Sequence, residues 1–218
     1  MAIKVYLLTS QASNWRSVRY ALLNEGFTVS VVSVTEIASL PQSSVLVLPG
    51  VGNIKHLSEQ FSNIYVLADL AKNFREKNIG IIGICLGFQF LCRSSSEDNG
   101  SPCLSMLNLD VEALFTPSKP SVGWKYIAPE ASNEGVESIE RVLAGGCFYF
   151  THCYGVISLP AVLDGLTIYS YDTSSSSKAV AAVVSERIIG LQFHPEKSGT
   201  QGANALKSAI YFLSAGST

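Results

Sequence analysis

Cys85 stands between glycines in Gly83-Ile84-Cys85-Leu86-Gly87-Phe88-Gln89, where a short apolar run should give way to a helix. A thiol on such a turn lies at the carboxyl end of a parallel sheet, where open α/β folds place their ligands. Flanking glycines permit a tight backbone and close packing of strand on helix, as at a nucleophile elbow. The helix start beyond it offers free N–H groups and a positive dipole end, which favour a thiolate and an oxyanion. Taken by itself, the same residue reads equally as a buried structural thiol. A second group, Gly190-Leu191-Gln192-Phe193-His194-Pro195-Glu196-Lys197, sets an imidazole two residues ahead of a carboxylate. A thiol nucleophile needs an imidazole to take its proton, and the imidazole needs a carboxylate to fix its tautomer. Residues i and i+2 of an extended segment project to one side, so Glu196 is within reach of the His194 ring. Alone, this stretch also reads as a solvated surface turn. Pro49-Gly50-Val51-Gly52 is the third group. Its glycines let backbone N–H groups face a ligand, as an oxyanion hole requires, although a Pro-Gly turn after a strand is common punctuation.

These groups need a frame that brings strand ends together. Ile3–Leu8 reads as a first strand, and residues 13–25 as a helix with Ser13 as its N-cap and Gly26 as its stop. Strands follow at Phe27–Val32 and Ser44–Leu48, and residues 66–76 again have helical spacing. Ile81-Ile82-Gly83-Ile84 has the continuous apolar character of a strand buried on both faces. Such alternation predicts βαβ units and a mostly parallel open sheet flanked by helices. In the second half, Phe148–Phe150, Thr167–Tyr169, Ala179–Val184 and Ile188–Phe193 read as strands with short connections, and residues 183–188 as a hairpin. They predict an antiparallel extension of the sheet, with residues 203–213 closing the chain as an amphipathic helix. Residues 94–101 and the serine-rich stretch 173–176 read as surface loops. No repeat or linker divides the chain, so residues 1–218 are expected to form one domain.

Composition narrows the classes of function. Charged residues make up 15% of the chain and nearly cancel, at a net −2, without a basic run. That gives no footprint for nucleic acid. No apolar stretch approaches the roughly 20 residues that span a bilayer, and the first residues lack the zones of a signal peptide. A soluble, cytoplasmic protein without membrane contact is the expectation. The five cysteines show no C-x-x-C spacing, which favours neither a zinc site nor a disulfide framework. Cys92 is expected in the core, His56 on the surface, and Phe148-Tyr149-Phe150 within a strand. His152 and Cys153, adjacent in a strand, should face opposite ways and form no pair.

The set PGVG, GICLGFQ and GLQFHPEKSG resembles the class I glutamine amidotransferases, most closely the glutaminase subunit of imidazole glycerol phosphate synthase. The likeness extends to Asn14-Trp15-Arg16-Ser17-Val18, Gly123-Trp124, His152-Cys153-Tyr154 and Lys197-Ser198-Gly199 with Gly202. It implies a flavodoxin-like fold and a glutaminase using Cys85, His194 and Glu196. Cys85 would form a γ-glutamyl thioester, His194 would act as acid and base, and Glu196 would orient it. The resemblance further implies oxyanion donors from the backbone of Val51 or Gly52 and of Leu86. Gln89 would contact L-glutamine, and the backbone at Cys153 and Tyr154 would receive its amino-acid end. Lys197 would face the ammonia-accepting synthase partner. In this family that partner is a (β/α)8-barrel cyclase that makes imidazole glycerol phosphate and AICAR in histidine biosynthesis. No metal or organic cofactor is implied. Weak basal activity, with the oxyanion hole completed only in the complex, is implied as well.

The chain departs from that pattern at Thr9-Ser10-Gln11, where the family has Asp-Tyr-Gly, and at Asn53-Ile54, Lys125 and Cys153. Ser101-Pro102-Cys103-Leu104 replaces a Gly-Leu-Gly run. None of these removes a member of the triad. They leave room for a paralogue serving another acceptor, such as a sugar amidotransferase. The other readings are a free-standing Cys-His hydrolase and a catalytically silent binding subunit.

Overall fold

Val45–Gly50 and Gly80–Cys85 are buried at every position, as strands covered on both faces must be. The computed structural model describes residues 3–10, 13–63, 65–114, 120–131, 137–163, 165–173 and 177–215. In chain order the first half runs β1 (Lys4–Leu8), α1 (Trp15–Asn24), β2 (Thr28–Val32), β3 (Val45–Gly50), α2 (Ile54–Ser62), α3 (Leu67–Glu76), β4 (Gly80–Cys85) and α4 (Leu86–Leu91). Short strands β5 (Ser94–Ser95) and β6 (Ser101–Pro102) lead to β7 (Asp110–Ala113), β8 (Ser121–Tyr126), β9 (Ala128–Ala131) and α5 (Glu137–Leu143). The remainder is β10 (Cys147–His152), β11 (Tyr154–Gly155), β12 (Thr167–Asp172), β13 (Lys178–Val184), β14 (Ile188–Leu191) and α6 (Gly199–Ala215).

The main sheet has eight strands in the order β2-β1-β3-β4-β14-β13-β12-β9. Its first five strands are parallel, and β14, β13, β12 and β9 pair antiparallel, which is the extension expected from the sequence. Alternate strand residues feed two cores. Val45, Val47, Ile82 and Ile84 face α1, α5 and α6, whereas Leu46, Leu48 and Ile81 face α2, α3 and α4. Two small sheets, β10-β8 and β11-β7-β5-β6, lie outside the main one.

Register places the chemistry. Gly50 pairs with Cys85, and Leu191 pairs with Ile84, so the carboxyl ends of β3, β4 and β14 finish side by side. Three local expectations need correction or completion. The cap position of α1 is Asn14 rather than Ser13, and Ser13 instead donates its hydroxyl to the Ser10 carbonyl at 3.1 Å. The stretch 94–101 is not wholly loop: it contributes β5, a 3-10 turn at Glu97–Asn99 and the start of β6. The serines at 174–176 and Gln11 lie outside the described residues.

Candidate active site

Cys85 ends β4 with φ 53° and ψ −109°, a left-handed conformation that few L-residues adopt. The chain turns so sharply here that α4 starts at the next residue, which sets the Leu86 amide beside the thiol. This approach depends on glycine. A Cβ on Gly87 would lie 1.8 Å from the Leu48 carbonyl oxygen, and one on Gly190 would lie 2.1 Å from the Phe88 ring.

His194 follows β14 in extended conformation, and Pro195–Lys197 form a single 3-10 turn. Its N–H donates to the Tyr149 carbonyl at 2.9 Å, and its carbonyl accepts the Ser198 hydroxyl at 2.7 Å. Gly202 lets the last helix cross this turn closely, since a Cβ there would meet the Pro195 carbonyl oxygen at 2.1 Å. The KSG-x-x-G ending is therefore the support of the histidine turn. His194 and Glu196 have side chains only 1% exposed, with Nδ1 and Oε1 2.8 Å apart. Because a carboxylate oxygen only accepts, Nδ1 carries a proton in either charge state of the ring, which leaves Nε2 as the nitrogen able to exchange one. Nε2 is buried and makes no hydrogen bond among the described residues. Burial works against a charge on this ring, but the Cys85 thiol and Glu196 carboxylate beside it prevail and hold the imidazole up at about 9.

A cavity of about 700 Å³ opens on these groups. Cys85, His194, Val51, Gly52, Leu86, Gln89, Cys153, Tyr154 and Lys197 all line it, so every residue singled out from the sequence meets there except Glu196, which stands behind His194. Gly52 has φ 100°, a conformation open to glycine, and nothing stands within 4 Å of where its Cβ would be. Lys197 is exposed at the rim. A neighbouring hollow, lined by Thr9, Ser10, Ser13, Arg16 and Thr35 among others, holds none of the triad.

His152 makes no pair with Cys153. Its Nδ1 lies 2.7 Å from the Tyr154 carbonyl oxygen and its Nε2 3.1 Å from the Tyr171 hydroxyl. Burial first, with His194 and Lys125 adding to it against the Tyr154 bond, brings the ring down to about 4. His152 is therefore neutral and structural at neutral pH. His56 is exposed and Cys92 fully buried, as expected.

Three participants escaped the sequence reading. Asn14 donates its side-chain amide to Glu196 Oε1 at 3.1 Å and accepts the Ser17 hydroxyl at 2.8 Å. Gln192, fully buried, donates to the Cys85 sulfur at 3.7 Å. Glu97 is the one acidic side chain among the described residues lining the cavity; its Oε2 accepts the Ile54 N–H at 3.0 Å, and burial raises its carboxyl above the usual range. Only Asn14 and Gln192 left a signal, by lying inside recognised motifs.

A strained thiol at a strand end, a buried imidazole oriented by a carboxylate, and glycine-flanked amides across a cavity make a site for acyl transfer through a thioester. The model of the family described as glutamine amidotransferase class-I matches residues 7–211. The chain belongs to this family and is a glutamine-hydrolysing amidotransferase. It is 32% identical over 210 residues to the imidazole glycerol phosphate synthase subunit HisH of Salmonella typhimurium, covering 95% of this chain and 99% of that one. HisH of Escherichia coli K12 matches with the same identity and coverage. Among solved structures, PurLQS from Thermotoga maritima superposes with a TM-score of 0.67 at 19% identity, covering 98% of this chain and 100% of that one. The glutaminase domain of Trypanosoma brucei CTPS gives 0.63 at 16% identity over 99% and 94% of the two chains. These two likenesses concern the fold.

Proposed function

We propose that this chain is the glutaminase subunit of an imidazole glycerol phosphate synthase and that Cys85, His194 and Glu196 carry its chemistry. The observation behind the chemistry is the His194–Glu196 pair at 2.8 Å sharing one cavity with the Cys85 thiol. The choice of pathway rests on the 32% identity to HisH along nearly the whole length of both chains.

Before the attack the thiol proton passes to His194 Nε2, where a ring held up at about 9 keeps it near neutral pH, and Cys85 Sγ attacks the glutamine carboxamide carbon as the thiolate. The oxygen of the tetrahedral intermediate is held by backbone N–H groups at Leu86 and at Val51 or Gly52. As the C–N bond breaks, the imidazolium passes its proton to the departing nitrogen, giving ammonia and the γ-glutamyl thioester. Water, deprotonated by His194, then attacks the thioester and releases glutamate, and the thiolate recovers its proton. Glu97 suits the substrate ammonium, and Gln89 with the Cys153–Tyr154 backbone forms the wall on which the amino-acid end rests.

The ammonia needs an acceptor, which in this reading is a (β/α)8-barrel cyclase. Val122, Trp124 and Tyr126 are 53%, 57% and 76% exposed along one face of β8, beginning two residues after Pro120 at the cavity. An apolar strip of this kind beside a site suits a docking protein. Lys197 at the rim suits the same interface.

Glutamine hydrolysis by the purified chain, alone and with a histidine-pathway cyclase plus its ribonucleotide substrate, is the test. Strong stimulation that Cys85→Ala abolishes is the expected result. Hydrolysis that the cyclase leaves unchanged would keep the triad and reject the histidine-pathway partner. The departure at Thr9-Ser10-Gln11 would then favour a paralogue with a different acceptor.

A further inference from the structure

Gln192 has no part in the steps above, although its side chain is fully buried against the nucleophile. Its polarity is set from a distance. The Tyr154 carbonyl oxygen can only accept, so Gln89, 2.7 Å away, must present its amide nitrogen there. That same nitrogen lies 3.1 Å from the side chain of Gln192, which must therefore offer Oε1 to it. Gln192 is then left with its Nε2 toward Cys85 Sγ, at 3.7 Å. A main-chain carbonyl of the substrate wall thus fixes, through two carboxamides, a hydrogen-bond donor on the thiol. The Gln192 backbone is anchored too, its N–H donating to the Ala181 carbonyl at 2.9 Å.

We infer that Gln192 is a positioning residue for the nucleophile: its amide, oriented by Gln89 and the Tyr154 carbonyl, donates to the Cys85 sulfur and favours the thiolate. A donor aimed at a sulfur is worth more when the sulfur is charged, because hydrogen bonds to charged groups exceed those to neutral ones. It also holds Sγ on the cavity side of the turn, where the carboxamide carbon must arrive. The inference rests on Cys85 being the nucleophile. Besides Tyr154, the titratable groups sharing the cavity or standing behind it are His194 with Glu196, His152, Cys153, Glu97 and Lys197. All of them persist in Gln192→Met, which adds no titratable group, so the difference between that variant and the parent protein reports the amide.

The test is the pH dependence of iodoacetamide labelling, read by mass spectrometry on the Cys85 peptide of the full chain, together with glutamine turnover. Gln192→Glu keeps an acceptor for Gln89, removes the donor and sets a carboxylate beside the sulfur, so it is read against the uncharged Gln192→Met. It should move the labelling midpoint up by roughly one pH unit and lower kcat about tenfold, with KM within about twofold of the parent. Gln192→Met, of similar shape and without charge, should shift labelling in the same direction and covers the case in which the glutamate variant fails to fold. Loss of turnover in folded Gln192 variants with an unmoved labelling midpoint overturns the inference and leaves the nucleophile reading intact. Turnover at the parent rate in Cys85→Ala would overturn that reading, and this inference with it.

Discussion

Glu196 holds His194 through Oε1, and the same oxygen takes the amide of Asn14 from the start of α1. The cap position of a helix ordinarily spends its side chain on the helix's own N–H groups. Asn14 makes no such bond, and its two ends go to Glu196 and Ser17 instead. Removing it frees the carboxylate to swing, which loosens the imidazole without touching substrate. Asn14→Ala should therefore lower kcat roughly tenfold with KM little changed, and Asn14→Asp should do worse by setting a second carboxylate against the first. Steady-state kinetics on both variants checks this, and equal activity in the three proteins would discard the role. Glu196→Gln keeps the shape but no longer fixes the Nδ1–H tautomer, so kcat should fall on the order of 10³-fold or more. Cys85, His194 and Glu196 were legible because nucleophile, base and orienter sit at strand ends within glycine-rich or HPE motifs. Asn14 was not, since its partner is 182 residues away and asparagine before a helix already has an ordinary explanation. Glu97 lay hidden in a run of serines and acids that reads as solvated loop. Only the packing of β6 and the 3-10 turn against α2 brings it to the cavity.

Helix α4 is six residues long, too short to hold itself, and it persists because it is wedged between strands. Glycine at 83, 87 and 190 makes the wedge possible: a Cβ on Gly83 would come within 2.7 Å of the Phe88 backbone. Gly87→Ala pushes a methyl into a carbonyl that the sheet holds rigid, so a loss of about 3 kcal/mol or more is expected in urea unfolding. A smaller cost would mean that α4 can retreat from β3. At Cys85 itself the left-handed backbone stores strain in any side-chain-bearing residue. Cys85→Gly should accordingly be more stable than Cys85→Ala by roughly 1 kcal/mol, although both are inactive. Equal stability would mean that the turn is unstrained. The parallel half of the sheet was readable because strands buried on both faces leave unbroken apolar runs. Strands β7 to β9 were not, for reasons visible in their residues. In β8 the apolar set Val122, Trp124 and Tyr126 faces outward, reversing the usual pattern, and β9 is an edge strand containing Pro129. Helix α2 was missed because its cap, Asn53, follows directly on the PGVG turn.

The two buried histidines tie the molecule together and pull its stability in opposite directions with pH. His152 pins β10 to β11 and β12, through Tyr154 and Tyr171, and so joins a small sheet to the main one. His194 pins the turn after β14 to β10 through Tyr149. His152 falls from 6.5 to about 4 on folding, chiefly by burial, so the unfolded chain binds its proton first. Stability is then complete above about pH 6.5 and drains as pH falls toward 4, by about 3 kcal/mol from this residue. His194 moves the other way, from 6.5 to about 9, because Cys85 and Glu196 outweigh burial. Its contribution is complete below about pH 6.5 and is lost as pH rises through about 9. The unfolding free energy should therefore peak near neutral pH, with an acid arm and an alkaline arm of separate origin. Urea unfolding followed by tryptophan fluorescence across this range separates them: His152→Gln should flatten the acid arm, and His194→Gln the alkaline one. If both variants keep both slopes and merely lower the curve, the histidines act through packing alone; the acid arm then belongs to carboxylates held low in the fold, such as Asp110 beside Arg93, and the alkaline arm to another group.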